Sequence, residues 1–421
     1  MQSSHKKAVT VVALVAIALL FYENIKAPTI HLDFAPIYGS ALLLLEGNLA
    51  KAYETDKEIL KRANEHLCSS LKARGYPLPT CLRYLYSPVV SFLFVPFTFF
   101  TYPVASFLFR MLSLLMLASA SFFVARAFAR DLFYVPFIFL GIYLFDATRM
   151  TIDLGQTNLM VLAFLSISCF ASPAIVSGLF LALACILKTF CFPVLLLLFF
   201  TSRHGRTRAL WCLFFLVLAN AVVLVVDEEA VFSYLDMLFS LSSMQFIWPE
   251  QQSLGALIKR IQDGMDAGSV VLWKENIVPA STANLFNSVI AGLFLTAFAI
   301  VIALKKPSVP EVFSVSLPLG LFISPVMHSH YGVILALPCA IIFGKSRMDA
   351  AFYLTLAGLF LQIIGLHQDE ARSYAQFFRA SGLGWLFVSY RLLSAFLLLL
   401  ASSFCLFVSK RKDEHKSLTE G

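Results

Sequence analysis

The chain has 421 residues, 59% of them hydrophobic and only 14% charged, and its mean hydropathy is +0.81. A soluble protein of this size carries about 25% charged residues, and a soluble α/β enzyme could not hide this much apolar surface from water, so that class is excluded. The net charge of +7 sits largely in basic clusters that membrane topology accounts for, and it calls for no nucleic acid.

The first apolar run, 8–21, follows Lys6 and Lys7, and no small-x-small cleavage site comes after it. It reads as an uncleaved first span with its N-terminus in the cytoplasm. The stretch 31–56, "HLDFAPIYGSALLLLEGNLAKAYETD", begins about ten residues later and places Asp33 at the membrane surface. Over 36–49, apolar residues at 37, 41, 42, 44, 45 and 49 leave Ser40, Glu46 and Asn48 near one side. That pattern predicts an amphipathic helix lying in the interface. The eight cysteines show no metal-binding spacing, and six fall in apolar runs. Cys68 and Cys81 fall in the polar segment instead, where an extracytoplasmic setting allows a disulfide that the sequence leaves open.

The region 84–200 holds apolar pieces of about 12 to 24 residues, broken at Pro88, Pro96, Pro103, Pro173 and Pro193. Some are too short to cross about 30 Å of hydrocarbon as straight helices. Arg126 and Arg130 favour a cytoplasmic turn, which puts 151–158 and Lys188 near the outer face and makes 84–102 a hairpin that dips in and returns. The alternative, a single crossing by 84–102, reverses those loops.

Further on, basic clusters mark the cytoplasmic side: Arg203, Arg206 and Arg208; Lys305 and Lys306; Lys345 and Arg347; Lys410, Arg411 and Lys412. Between them the spans read about 209–226, 281–304, 309–326, 331–344, 349–366 and 382–408. The segment 227–280 carries eight acids against Lys259, Arg260 and Lys274, a bias that suits the outer side. The expectation is an all-α polytopic membrane protein of about 11–13 transmembrane helices with two large extracytoplasmic loops, about 23–83 and 227–280. No internal repeat or linker divides the chain, so 1–421 reads as a single integral membrane domain, and the part beyond 345 is expected to add only spans.

In such a protein the informative residues are the expensive ones. An ionisable side chain at mid-membrane costs about 2.5–3.5 kcal/mol even on a lenient insertion scale, so it faces a cavity or a partner. Lys188, in "LACILKTFCFP", is the clearest case, and it suits a phosphate at the outer surface. The bland alternative is a lysine snorkelling from a helix end. "DLGQTNLM" sets Asp153, Gln156 and Asn158 ahead of an apolar run, and "SPVMHSHYG" sets His328 and His330 two apart in an outer turn. Two histidines alone make a weak metal site, so hydrogen bonding to a phosphate or sugar hydroxyl is the better reading.

Taken together, these residues resemble the integral-membrane glycosyltransferases of the GT-C fold, and most closely glycosyltransferase family 87, the polyprenyl-phosphate-mannose-dependent mannosyltransferases. The resemblance runs through Asp33, Phe34, Tyr38, Ala41, Leu45 and Gly47, then Tyr53 and Glu54. It continues through "YSPVVSFLFVPF", with Ser87 in place of a proline, then "GQTNLM", "ALACILKTFCFPVLL", "QQSLGALIKRI" and "SPVMHSHYGVILALP", in order over roughly 8–345. It implies transfer of a sugar, mannose foremost, from a polyprenyl-phosphate donor to the hydroxyl of a glycan or glycolipid acceptor, with inversion. It also implies a protein of the cell (inner) membrane and envelope, with its site on the extracytoplasmic side. Asp33 matches the family acid and becomes the candidate general base. Lys188, His328, His330 and Arg260 are candidates for the donor phosphate; Tyr38, Tyr86, Gln156, Asn158, Gln252 and Ser253 are candidates for sugar or acceptor contacts. No Asp-x-Asp signature appears, and a lipid-monophosphate donor has no diphosphate to chelate, so no metal or other cofactor is expected. The 51–83 insert is the expected seat of acceptor specificity. A transporter or flippase, or a polymerase or ligase for lipid-linked saccharides, is the rival reading.

Overall fold

A computed structural model of the chain describes residues 3–26, 31–53, 65–78, 81–128, 132–242, 244–246, 251–262, 277–345, 349–363 and 389–419. It is built almost wholly of helices. In chain order they are α1 (Ser3–Lys26), α2 (Phe34–Leu45), α3 (Glu65–Ala73), α4 (Pro88–Phe94), α5 (Tyr102–Phe128), α6 (Val135–Tyr143), α7 (Asp146–Leu154), α8 (Asn158–Phe170) and α9 (Ala174–Leu187). Then follow α10 (Phe192–Leu198), α11 (Arg203–Val226), α12 (Glu228–Ser242), α13 (Leu254–Gln262), α14 (Ser281–Lys305), α15 (Val309–Ile323), α16 (Ala336–Phe343), α17 (Ala350–Ile363) and α18 (Tyr390–Thr419). The segment 227–280 departs from an all-helical reading by one small antiparallel pair, β1 (Met244–Phe246) against β2 (Ile277–Pro279).

Among the described residues, five helices are long and apolar enough to cross a membrane; they lie in α1, α5, α11, α14 and α18. The pair α6–α7, bent by 75°, makes a sixth if it is one broken span, and eight shorter apolar helices of 10–17 residues accompany them. Only 11% of the spanning windows of α1 and α14 is buried in protein. Val11, Val12, Leu14, Leu19, Leu293 and Leu304 on them are exposed, as side chains facing lipid must be.

Two ends of the bundle can be told apart by contacts. At the basic end, Lys345 after α16 pairs with Glu311 in the first turn of α15, Nζ to Oε1 2.7 Å. There too Arg208 on α11 donates to the last carbonyls of α8 and to Ala171, at 2.8–3.3 Å. It thereby satisfies groups a helix end leaves without partners. The opposite end therefore holds the start of α8, the end of α9 and the end of α15, which are the positions of Gln156, Lys188 and His328. Residues 84–102 begin and end there: Tyr86 accepts from Lys188 at 3.2 Å, and the Tyr102 hydroxyl donates to the His31 carbonyl at 2.6 Å. The two ends of this segment therefore lie at the same end of the bundle. The segments 23–83 and 227–280 also meet at this end, Tyr53 of the first and Tyr234 of the second having ring centroids 5.5 Å apart.

Two expectations change. The helix over 36–49 does not lie on lipid: α2 is enclosed by protein, with Phe34, Ile37, Tyr38, Ser40 and Ala41 fully buried. Phe34 stacks on Phe109 of α5, centroids 4.5 Å apart, and Leu67 and Leu71 of α3 cover Gly39 from the other side. An apolar face read from sequence looks the same whether its partner is lipid or another helix. The disulfide left open by the sequence is formed, joining Cys68 on α3 to Cys81 with Cα atoms 5.7 Å apart.

Candidate active site

Helix lengths explain where the polar groups gather. At about 1.5 Å per residue, the 13 residues of α8 and 14 of α9 reach only about 20 Å, short of the roughly 30 Å hydrocarbon core. Long helices pack beside them, and Gln156 and Lys188 sit just before the start of α8 and just after the end of α9. Lys188 breaks the helical run with an extended backbone between α9 and the turn that starts α10.

Asp33 stands at the start of α2, half-buried, with no capping bond from its side chain. Its backbone N–H donates to the Leu154 carbonyl at 2.9 Å, which ties the loop before α2 to the end of α7. Gly155 ends α7 in the left-handed region, φ +71°, and a side chain there would overlap His31 and Phe34. That close approach delivers Gln156 to Asp33: Gln156 Nε2 donates to Asp33 Oδ2 at 2.6 Å. Gly155→Ala is expected to cost about 1–2 kcal/mol from its backbone conformation alone, with the overlap added. Thermal unfolding in detergent should show a lower midpoint, and an unchanged midpoint would mean the loop yields freely.

The other end of the Gln156 amide faces the lysine. Gln156 Oε1 accepts from Lys188 Nζ and from the Tyr86 hydroxyl, both at 3.2 Å. Lys188 Nζ also donates to the hydroxyls of Tyr86 and Tyr331 at 3.2 Å and lies 4.8 and 4.5 Å from their ring centroids. Lys188 is 8% exposed, yet every one of these partners is neutral. This buried ammonium is hydrogen-bonded to neutral oxygens, and the Asp33 carboxylate attracts it across the Gln156 amide.

Four successive carbonyls of the turn at 327–331, those of 327–330, are held. The Met327 carbonyl accepts from the Gln252 N–H and the His328 carbonyl from the Tyr331 N–H. Arg391 donates to the Ser329 carbonyl, and the His330 carbonyl accepts from Asn158 Nδ2 at 3.1 Å and Thr151 Oγ1 at 3.3 Å. His328 and His330 stack with centroids 5.3 Å apart, each edge-on to Tyr331. Among the described residues, both ring nitrogens of buried His330 lack a hydrogen-bond partner. Further out, Tyr76, in the loop closed by the disulfide, packs edge-on to Tyr102 at 5.0 Å. Burial first, then the Asp33 carboxylate, pushes its phenol above the usual range, which keeps it neutral beside that acid.

Behind Asp33, His31 is locked into α5. Its Nε2 accepts from Arg110 Nε at 3.1 Å, which leaves the proton on Nδ1 to face Ser106 Oγ at 2.8 Å. Burial, and then the Arg110 guanidinium, push His31 down to about 4, so it is a neutral strut at physiological pH.

Of the residues expected from sequence, Asp33, Gln156, Lys188 and Tyr86 form one connected cluster, with His328 and His330 beside it. Asn158 and Gln252 brace the turn, and Ser253 accepts the Ala256 N–H at 3.1 Å at the start of α13. The Tyr38 hydroxyl is engaged by the Phe100 carbonyl at 2.7 Å, so this residue packs the wall behind Asp33. Arg260 lies on α13, and its side chain is outside the described residues. Tyr331, Arg110 and Arg391 were missed. The two arginines interrupt apolar runs, in "SFLFRMLSLL" and "SYRLLSAFLLLL", so the criterion that picked out Lys188 applied to them as well. The expectation that residues beyond 345 add only spans fails at Arg391. Among the described residues no group of three or more His, Cys, Asp or Glu side chains is placed to hold a metal ion.

The apolar helices long enough to cross a membrane enclose a cluster of acid, amide, lysine and tyrosines at one end of the bundle. Residues 84–325 match glycosyltransferase family 87, and the chain belongs to that family. A comparison with curated proteins returns no match. The matched stretch contains Tyr86, Gln156 and Lys188, while Asp33 precedes it and Arg391 follows it.

Proposed function

We propose that this membrane glycosyltransferase transfers a sugar, mannose foremost, from a polyprenyl-phosphate donor to an acceptor hydroxyl on the extracytoplasmic side, with inversion. One observation carries the reading: a single amide, Gln156, joins a half-buried carboxylate to a buried ammonium whose hydrogen-bond partners are neutral oxygens. In the reaction the acceptor oxygen attacks the anomeric carbon and its proton passes to Asp33. The bond from that carbon to the phosphate oxygen breaks as the new one forms, and the polyprenyl phosphate leaves with the electron pair. A phosphate leaving group needs charge stabilisation more than protonation. Lys188 supplies it, with His330 as a neutral hydrogen-bond donor. Placement of base and cation at opposite ends of the Gln156 amide suits an in-line displacement. The tyrosines at 76, 86 and 331 provide aromatic faces and hydroxyls for the sugar. A transporter would carry its polar residues near the midplane of repeated halves; here they collect at one end of the bundle.

The test is purified full-length protein with radiolabelled polyprenyl-phosphate sugars and a membrane extract as acceptor source. Label is expected to move from the lipid monophosphate into a glycan or glycolipid; transfer from a nucleotide sugar alone would contradict the donor. The side of the membrane is tested separately. A cysteine at Ser202, beside the basic end, should be shielded from an impermeant thiol reagent added outside intact cells, and one at Ala267 should label. Labelling at Ser202 would put the site on the cytoplasmic side.

A further inference from the structure

Arg391, at the start of α18, lies beyond the stretch that matches the family and is 1% exposed. Each of its bonds outside its own helix reaches an element that carries the site. One guanidinium nitrogen, Nη2, pairs with the carboxylate of Asp146 in the first turn of α7, the helix that ends at Gly155 and Gln156. The other, Nη1, donates to the Ser329 carbonyl in the turn at 327–331. Its backbone N–H donates to Gln252 Oε1 at 3.2 Å, and the Gln252 N–H in turn holds the Met327 carbonyl. The third guanidinium nitrogen, Nε, is taken by the neighbouring Tyr390 hydroxyl at 2.8 Å. Arg149 also approaches Asp146, at 3.9 Å, but its side chain is 55% exposed, so Arg391 is the buried partner.

Arginine suits this task and lysine does not, because a planar fork can bond a carboxylate and a carbonyl in fixed directions at once. The consequence reaches the ligand end. With the Ser329 carbonyl fixed, the next two side chains, His330 and Tyr331, are fixed in direction, and the Tyr331 hydroxyl is one of the three oxygens that hold Lys188. We propose that Arg391 is a positioning residue for the donor-phosphate subsite. Bridging Asp146 and the Ser329 carbonyl, it keeps Tyr331 and His330 at the distance from Lys188 that a phosphate requires. This role rests on Lys188 being the phosphate-binding cation.

The test is equilibrium binding of polyprenyl phosphate to folded, size-exclusion-purified full-length protein in detergent. It compares wild type, Lys188→Met, Arg391→Lys and Asp146→Asn. Arg391→Lys keeps the charge and loses the fork; Asp146→Asn keeps the shape and a weaker acceptor, and serves if the first variant folds poorly. Lys188→Met reports on the reading of the cation and the other two report on its positioning. Weaker binding in Arg391→Lys and Asp146→Asn, by about ten-fold as misplacement of a binding group commonly gives, with kcat at saturating donor little changed, is the expected result. If Lys188→Met weakens binding while both others bind as wild type does and only lose thermal stability, Arg391 merely packs the fold and the proposal is overturned. If Lys188→Met binds as wild type does, the cation is not the phosphate site, and the positioning role falls with it.

Discussion

Asp33→Asn is expected to give a protein that inserts, folds and binds the lipid donor, yet transfers sugar about 10²–10⁴-fold more slowly, the usual cost of losing a general base. The substitution is chosen for what it leaves intact. An asparagine oxygen can still accept from Gln156 Nε2, as Asp33 Oδ2 does at 2.6 Å. The backbone bond from residue 33 to Leu154 is unaffected. What disappears is the capacity to take a proton at neutral pH. Asp33→Glu keeps a base but displaces it by about one carbon–carbon bond, and a trace of activity is the expected outcome. Glu46, at the far end of α2, is the control: if negative charge near the membrane were the whole role, Glu46→Gln and Asp33→Asn would be equally mild. Near wild-type turnover by purified Asp33→Asn would remove Asp33 from the chemistry.

Lys188→Met is expected to act on the donor. Methionine keeps the length and apolar stem of the side chain and removes the charge. No carboxylate is bonded to Lys188 among its contacts, which are Tyr86, Gln156 and Tyr331. Its removal takes an attractive cation away from Asp33, but that half-buried carboxylate keeps its bond from Gln156 Nε2, and folding should survive. A hydrogen bond to a charged group contributes about 1.5–3 kcal/mol, which predicts a rise in donor KM of roughly 10- to 150-fold. Steady-state kinetics over a range of polyprenyl-phosphate sugar reads it directly. Full activity at low donor concentration would mean that Lys188 only snorkels from the end of α9.

Much of this site could be read before the structure, because a bilayer makes polar residues conspicuous. Lys188 and the Gln156–Asn158 stretch stood out against apolar surroundings, and Asp33 stood out by following the first span. The basic clusters ordered the chain well enough to bring 151–158 and Lys188 to one end. Sequence could not supply long-range pairing. Nothing in "MQF" and "IVP" announces the β1–β2 pair, and nothing local joins Arg391 to Asp146, 245 residues away. Residue roles shifted for the same reason. Asn158 and Gln252 carry the right chemistry for a sugar, but the fold engages the Asn158 amide with the His330 carbonyl and Gln252 Oε1 with the Arg391 N–H. The helix α2 shows the remaining ambiguity, since its apolar face meets Phe109 and Leu67 rather than lipid.

A single displacement with one base turns the anomeric centre over. A second displacement would need a protein nucleophile placed to form a glycosyl intermediate, and would restore the original configuration, as it does in the hydrolysis of glycosides. The most direct measurement is the anomeric configuration of the newly joined sugar, read by NMR on product made by the purified protein from a polyprenyl-phosphate donor of defined configuration. The arrangement of Asp33, Gln156 and Lys188 predicts the opposite configuration to the donor's. A product with the donor's own configuration would contradict it.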